Sequence, residues 1–285
     1  MVVGSWIVGI IVVFGGTLGS ILGMLWVRKI FHVTKLESHH EVAGYLLSVI
    51  GTLYAVLLGL IVVDVQSKYQ QAQLMAETEA NAAADMFLLG QALAPATRDK
   101  LSEGIAEYVD VVLEKEWGSD VPRASFTEGS VVPLRKVWQT LGSYEPVTNR
   151  EIACYSTALT TLGQLADARR FRVVSTRGGI SEILWGVLIV GGICTVLFTY
   201  FFGVENAIAH IAMTALVSLC LSLNVMLVVL FSNPYRGDLK IQPDGFRYDQ
   251  RMIQTLLKER AERKAVEKTA TGSKPIVKPA MPPAP

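Results

Sequence analysis

The stretch Leu46–Phe87, LLSVIGTLYAVLLGLIVVDVQSKYQQAQLMAETEANAAADMF, decides how this chain is read. It begins as an apolar run long enough to cross a bilayer, which takes about 20 residues. At Asp64 it becomes polar, yet it continues without Gly or Pro as far as Leu89. Nothing in that continuation stops a helix. A membrane helix that runs on into water is therefore predicted.

Working outward, three more runs pass the same length test: about Trp6–Val27, Ile183–Phe202 and Ala207–Phe231, with the second span itself at about Val42–Val63. The chain of 285 residues is 51% hydrophobic with mean hydropathy +0.39, and this apolar excess is concentrated in the four runs. That pattern is an integral membrane protein rather than a large soluble core. No basic residue precedes the first run and it is too long for a signal-peptide core, so it reads as a permanent anchor. The net charge of +1 points to no polyanionic partner, nucleic acid included.

Four spans place both termini and the middle region on one side. That side carries Lys68, Arg169, Arg170, Arg172, Arg177, Arg236, Lys240 and Arg247 near the membrane, against Arg28, Lys29 and Lys35 on the other. The positive-inside rule then puts the middle region and termini in the cytoplasm. The middle region reads as helices. Leu101, Ile105, Tyr108 and Val112 recur at helical spacing after Pro95, as do Ile152, Tyr155, Leu159, Leu162 and Leu165. Val131–Leu141 is a short helix after the loop Gly118–Ser130, and no stretch alternates with period two. The expected organisation is all-α: residues 1–65 a first transmembrane hairpin, 66–179 a cytoplasmic helical region, 180–231 a second hairpin, and 232–285 a cytoplasmic tail, disordered after about 265.

Small residues recur within the spans. Gly15, Gly19 and Gly23 lie at four-residue steps, as do Gly51, Ala55 and Gly59. Such stripes let helix backbones approach closely, within one subunit or between subunits. Catalytic patterns are missing: there is no GxSxG, P-loop or HExxH. Glu77 with Glu79, and Glu114 with Glu116, are carboxylates two apart, which face different ways on a helix and read as solvated. His39, His40 and Glu41 read as interfacial polarity rather than a metal site. Cys154, Cys194 and Cys220 read as buried free thiols, with neither disulfide nor zinc spacing. Mid-span polar groups are Thr52, Thr195, Thr199, Ser218, Ser222 and Asn224, with no carboxylate among them, which disfavours a proton-coupled carrier.

Several short motifs stand in a distinctive order. Leu58-Gly59-Leu60 ends the second span, followed by Tyr69, Ala72 and Glu79-Ala80-Asn81. Then come Glu116-Trp117, the Arg-rich Arg169, Arg170 and Arg172, and Leu184-Trp185, and after the last span Asn233-Pro234-Tyr235. Over about residues 40–255 this resembles the bacterial bestrophin-like proteins and, more distantly, the bestrophin ion channels. The resemblance implies a homo-oligomer, a pentamer in bestrophins, passing inorganic ions along a central axis. It implies a pore neck at Thr52, Val56 and Leu60, a pore exit at Asp64, and Asn233, Pro234 and Tyr235 closing the membrane part. It places the protein in the bacterial inner membrane as a multi-pass, non-enzymatic protein without cofactor. In the ten residues that follow the Asn-Pro step the carboxylates are Asp238 and Asp244, too few oxygens for the calcium clasp of eukaryotic bestrophins. The alternative is a non-conducting membrane scaffold or sensor whose cytoplasmic helices bind a partner.

Overall fold

The computed structural model describes residues 5–30, 40–117, 129–176, 179–202, 204 and 206–272. The elements are helices: α1 (Ser5–Ile30), α2 (His40–Gly90), α3 (Pro95–Val111) with a π-helical turn (Val112–Glu116), α4 (Val131–Gly142), α5 (Asn149–Ser175), α6 (Glu182–Tyr200), α7 (Ala207–Phe231) and α8 (Asp244–Gly272). Four are long and apolar enough to cross a membrane: within α1, Gly9–Ile30; within α2, Gly44–Gly90; and α6 and α7 whole. Several readings fall outside the described residues: Lys35, Arg177, most of the loop expected before α4, and the tail beyond residue 272. The side chains of His39, His40 and Glu41 also fall outside them.

The chain divides into two compact units. The first comprises Met1–Glu79, Lys115–Thr127 and Ala166–Gln242, and holds the spans. Its helices start where their sequences supply caps. The Ser181 hydroxyl accepts from the Leu184 amide at the start of α6, and the Asn206 side chain accepts from Ile208 and Ala209 at the start of α7. Within hydrocarbon every polar group needs an internal partner. Thr52 accordingly donates to Ser48 O, Thr195 to Gly191 O and Asn224 to Cys220 O, each on its own helix. Ser218 instead meets Ser20 Oγ at 2.8 Å, joining α7 to α1.

Lipid offers no hydrophobic drive for helix association, so close fit decides the packing. On α1, a Cβ at Gly9 would lie 2.9 Å from Met226, at Gly16 2.7 Å from Ser222 Oγ, and at Gly23 2.8 Å from the Tyr200 hydroxyl. The close approach therefore repeats every seventh residue. On α2, Tyr54, Leu58, Ile61 and Val65 pack with Leu188 of α6 and Val228 of α7. Tyr54 reaches over Gly191 and Gly192, and its hydroxyl donates to Leu188 O at 2.7 Å. A Cβ at Gly191 would sit 2.5 Å from the Tyr54 ring. Gly191→Ala is therefore expected to cost about 1–3 kcal/mol by overpacking against a ring already held by its hydrogen bond. Thermal unfolding in detergent checks this, with Gly186→Ala, where a Cβ meets nothing, as the neutral control.

The second unit comprises Ala80–Glu114, Glu128–Leu165 and the chain from Pro243 on. Its core gathers Met86 and Phe87 from α2, Leu101, Ile105 and Tyr108 from α3, Val137 and Leu141 from α4, Leu162 from α5, and Phe246 and Ile253 from α8. Each is nearly fully buried, worth about 1.5–3 kcal/mol apiece before entropy is counted. Gly104 allows α3 onto α4, since a Cβ there would lie 2.9 Å from Val137. α8 is tied down by Arg260 and Lys264 on Asp99, by Arg260 on Gln91, and by Gln250 on Asp110.

The cysteines are unbridged, but Cys194 and Cys220 are exposed and Cys154 is half-buried, contrary to the expectation of buried thiols. An apolar run marks a helix as lipid-compatible all round. It does not say which side faces protein.

Candidate functional site

Two features of α2 stand out. The first is a face that its own chain leaves uncovered. Tyr54, Leu58, Ile61 and Val65 are buried, whereas Val56 is 59% and Leu60 65% exposed, with Thr52 and Ala55 exposed beside them. Residues four apart share a helix face, so Thr52, Val56, Leu60 and Asp64 form one strip. Asp64 pairs with Lys68 at 2.7 Å in solvent, a contact worth a few tenths of a kcal/mol. The strip continues through exposed Ser67, Gln70, Gln71, Leu74 and Glu77. It is thus apolar where the helix is membrane-compatible and mostly polar beyond.

The small residues proposed for packing are distributed unevenly. Added Cβ atoms at Gly15, Gly19, Gly51 and Gly59 meet nothing within 4 Å, while Gly23 abuts Tyr200. Gly15 and Gly19 line a cavity of about 350 Å3 together with Ser20, Tyr200, Ser218 and Ser222.

The second feature is a buried ionic node on the polar extension of α2. Arg172 of α5 donates from Nε to Glu79 Oε2 at 2.6 Å and from Nη2 to Glu79 Oε1 at 2.9 Å, a bidentate fork. Its Nη2 also donates to Glu116 Oε2 at 2.8 Å, and Arg169 approaches the other Glu116 oxygen at 3.5 Å. Arg172, Glu79 and Glu116 are each no more than 1% exposed. Arg172 and the two carboxylates therefore meet out of water, with the half-buried Arg169 guanidinium at the edge of the group. The planar fork suits arginine, which also lies 5.3 Å from the Trp117 ring centroid.

This corrects one reading of the carboxylate pairs. Glu77 and Glu114 are solvated as expected, but Glu79 and Glu116 are buried. Residues two apart do face different ways, and here one member of each pair faces inward to meet Arg172. The Arg-rich helix end divides likewise: Arg170 stays exposed on Asp167, whereas Arg172 is wholly internal.

The segment after α7 is bound to the same place. Tyr235 donates to Ala72 O at 3.0 Å and stacks edge-on against Trp117, while Pro234 is buried and Asn233 is exposed. Burial pushes the Tyr235 phenol well above its ordinary range, with the Arg172 charge pulling the other way. Tyr69 donates to Leu239 O at 2.8 Å, and Trp117 Nε1 to Ile241 O at 3.1 Å. The turn closes through Ile241 N to Pro234 O at 2.8 Å, with Gly237 at φ 83°, a conformation that glycine takes without cost. The motif residues Tyr69, Ala72, Glu79, Glu116, Trp117, Arg169, Arg172 and Tyr235 thus meet in one place although they are spread along the chain. Among the described residues, no cluster of three or more His, Cys, Asp or Glu side chains could hold a metal.

The arrangement matches known proteins at the level of fold. Crystal structures of a bacterial bestrophin homologue from Klebsiella pneumoniae, in three single-substitution variants, superpose with TM-scores of 0.65, 0.64 and 0.63. Each is 11% identical and covers 85% of this chain, and the matches span 99%, 97% and 98% of the respective chains. No curated protein sequence matches. The Bestrophin-like domain family matches residues 15–246, which include the first span from Gly15 on, the α6 and α7 spans whole, α2 with its uncovered strip, and the ionic node. By that match, the chain belongs to the bestrophin-like family of integral membrane proteins.

Proposed function

We propose that this protein is a subunit of a homo-oligomeric channel, a pentamer, that passes inorganic ions passively along an axis lined by α2. The observation that carries this reading is the uncovered strip Thr52, Val56, Leu60 and Asp64. A lipid-facing strip would have no reason to continue past the apolar span as an exposed, helical, mostly polar face. A conduit needs that continuity. Val56 and Leu60 form an apolar neck, flanked by the Thr52 hydroxyl on one side and the Asp64 carboxylate on the other. An ion crossing an apolar constriction loses hydration without replacement, so the neck sets the barrier. The node of Glu79, Glu116 and Arg172 positions the extension of α2. The protein is not an enzyme in this account; it resides in the bacterial inner membrane with both termini in the cytoplasm.

Detergent-purified protein, counted by native mass spectrometry and then reconstituted, tests the proposal. A pentamer with ion flux above that of protein-free liposomes is expected. A monomer or dimer without flux would favour the non-conducting scaffold whose cytoplasmic helices bind a partner.

The open glycines belong to the same reading. Gly15 and Gly19 are not required by contacts within the chain, so a neighbouring subunit is their expected occupant. Gly19→Leu should leave each subunit folded, because its Cβ meets nothing within 4 Å. It should shift the assembly to smaller species in native mass spectra. An unchanged pentamer would place that stripe against lipid.

A further inference from the structure

The first turns of α8 carry an aspartate where an apolar side chain would be expected. Phe246, Asp249 and Ile253 lie three and four apart and form the buried face of the helix, with Phe246 and Ile253 each 1% exposed. Asp249 is only 5% exposed, and among the described residues its Oδ2 has no hydrogen-bond partner. The helix is pressed against α2 here, since a Cβ at Gly245 would lie 2.9 Å from the Ala80 Cβ. α2 also supplies Asp85, whose charge acts on Asp249. Two further carboxylates of this unit are engaged elsewhere. Asp110 of α3 takes a hydrogen bond from Gln250 at 2.6 Å, and Asp244 pairs with Arg247 on α8 itself at 3.2 Å. An ionised carboxylate in this position is buried, short of one donor and repelled by a like charge. A neutral carboxyl can stay buried there without that repulsion.

We propose that Asp249 is an acid-responsive latch: taking up a proton from solvent tightens the docking of α8 on the end of α2, and releasing it loosens that docking. Burial first and the Asp85 charge second raise the Asp249 carboxyl from 3.8 to about 6. The sign follows from that direction. A carboxyl that binds its proton more tightly when docked than when free disfavours docking most above pH 6. The penalty is relieved as pH falls through 6 towards 4. The latch does not depend on whether the protein conducts ions.

Hydrogen exchange of the full-length protein in detergent, read by mass spectrometry and corrected for intrinsic exchange at each pH, tests this. Between pH 7.5 and pH 5.0 the protection of residues 246–253 should rise about tenfold, the factor that a shift from 3.8 to about 6 gives at pH 5. Asp249→Asn keeps the size and the donor but cannot titrate, so its protection should be the same at both pH values. Asp85→Asn, on an exposed residue, should fold and should shrink the rise. Corrected protection in the wild type that is flat with pH would overturn the proposal. So would a tenfold rise that survives in Asp249→Asn, or one left undiminished in Asp85→Asn.

Discussion

Arg172→Ala is expected to cost about 3–5 kcal/mol, the range found when one partner of a buried ion pair is removed. The wild-type pair by itself contributes little net stability, because desolvating the charges offsets their attraction. The damage comes from what remains: Glu79 and Glu116 stay buried, Glu79 loses both bonds of the fork, and Glu116 loses its 2.8 Å bond. For a chain of 285 residues this is a fall of about 10 °C in Tm. Arg172→Lys retains the charge but not the planar fork, so an intermediate loss is expected. Glu79→Gln in an Arg172→Met background should be less harmful than the two single losses summed, since no unpaired charge is left at that position. Scanning fluorimetry in detergent reads these variants beside the wild type and the Glu79→Gln and Arg172→Met single variants. An Arg172→Ala protein melting with the wild type would mean that the node is solvated.

Val56 variants are expected to change flux in opposite directions. Val56→Ser supplies a hydroxyl at the proposed apolar neck and tolerates water, so it should raise flux severalfold. Val56→Trp should abolish it by volume. Neither should disturb the fold, because Val56 is 59% exposed and touches none of the core formed by Tyr54, Leu58 and Leu188. The contrast with Leu58, 4% exposed on the opposite side, is useful here: Leu58→Ala should melt earlier, with the loss expected of a cavity. Liposome assays at matched protein amount and oligomer state separate the two effects. Equal flux from wild type, Val56→Ser and Val56→Trp would remove α2 from the ion path.

The sequence showed where helices run better than which way they face. The four spans follow from length and apolarity, and the long α2 from the absence of Gly and Pro between Asp64 and Leu89. The node was visible only as separate motifs. Helical periodicity places Glu77 and Glu79 on different sides, but the inward side is chosen by Arg172, 93 residues away. The glycine spacing shows the same limit. Four-residue steps single out Gly15, Gly19 and Gly23, but of these Gly23 alone makes a close contact inside the chain, the others falling at Gly9 and Gly16, because Met226, Ser222 and Tyr200 determine where backbone can approach. Asp249 was legible in principle. Phe246, Asp249 and Ile253 have helical spacing, yet an aspartate breaks the apolar pattern on which such a stripe is recognised.

The central claim is that the uncovered strip of α2 faces the permeating ion, and cysteine accessibility tests it most directly. Val56→Cys would be reconstituted and its flux followed before and after a small charged methanethiosulfonate reagent. The native Cys194 and Cys220, exposed on α6 and α7, serve as internal controls in the wild type. The account predicts that the reagent stops flux through Val56→Cys and leaves the wild type untouched. Full flux through Val56→Cys after mass spectrometry has shown that its thiol is modified would contradict it.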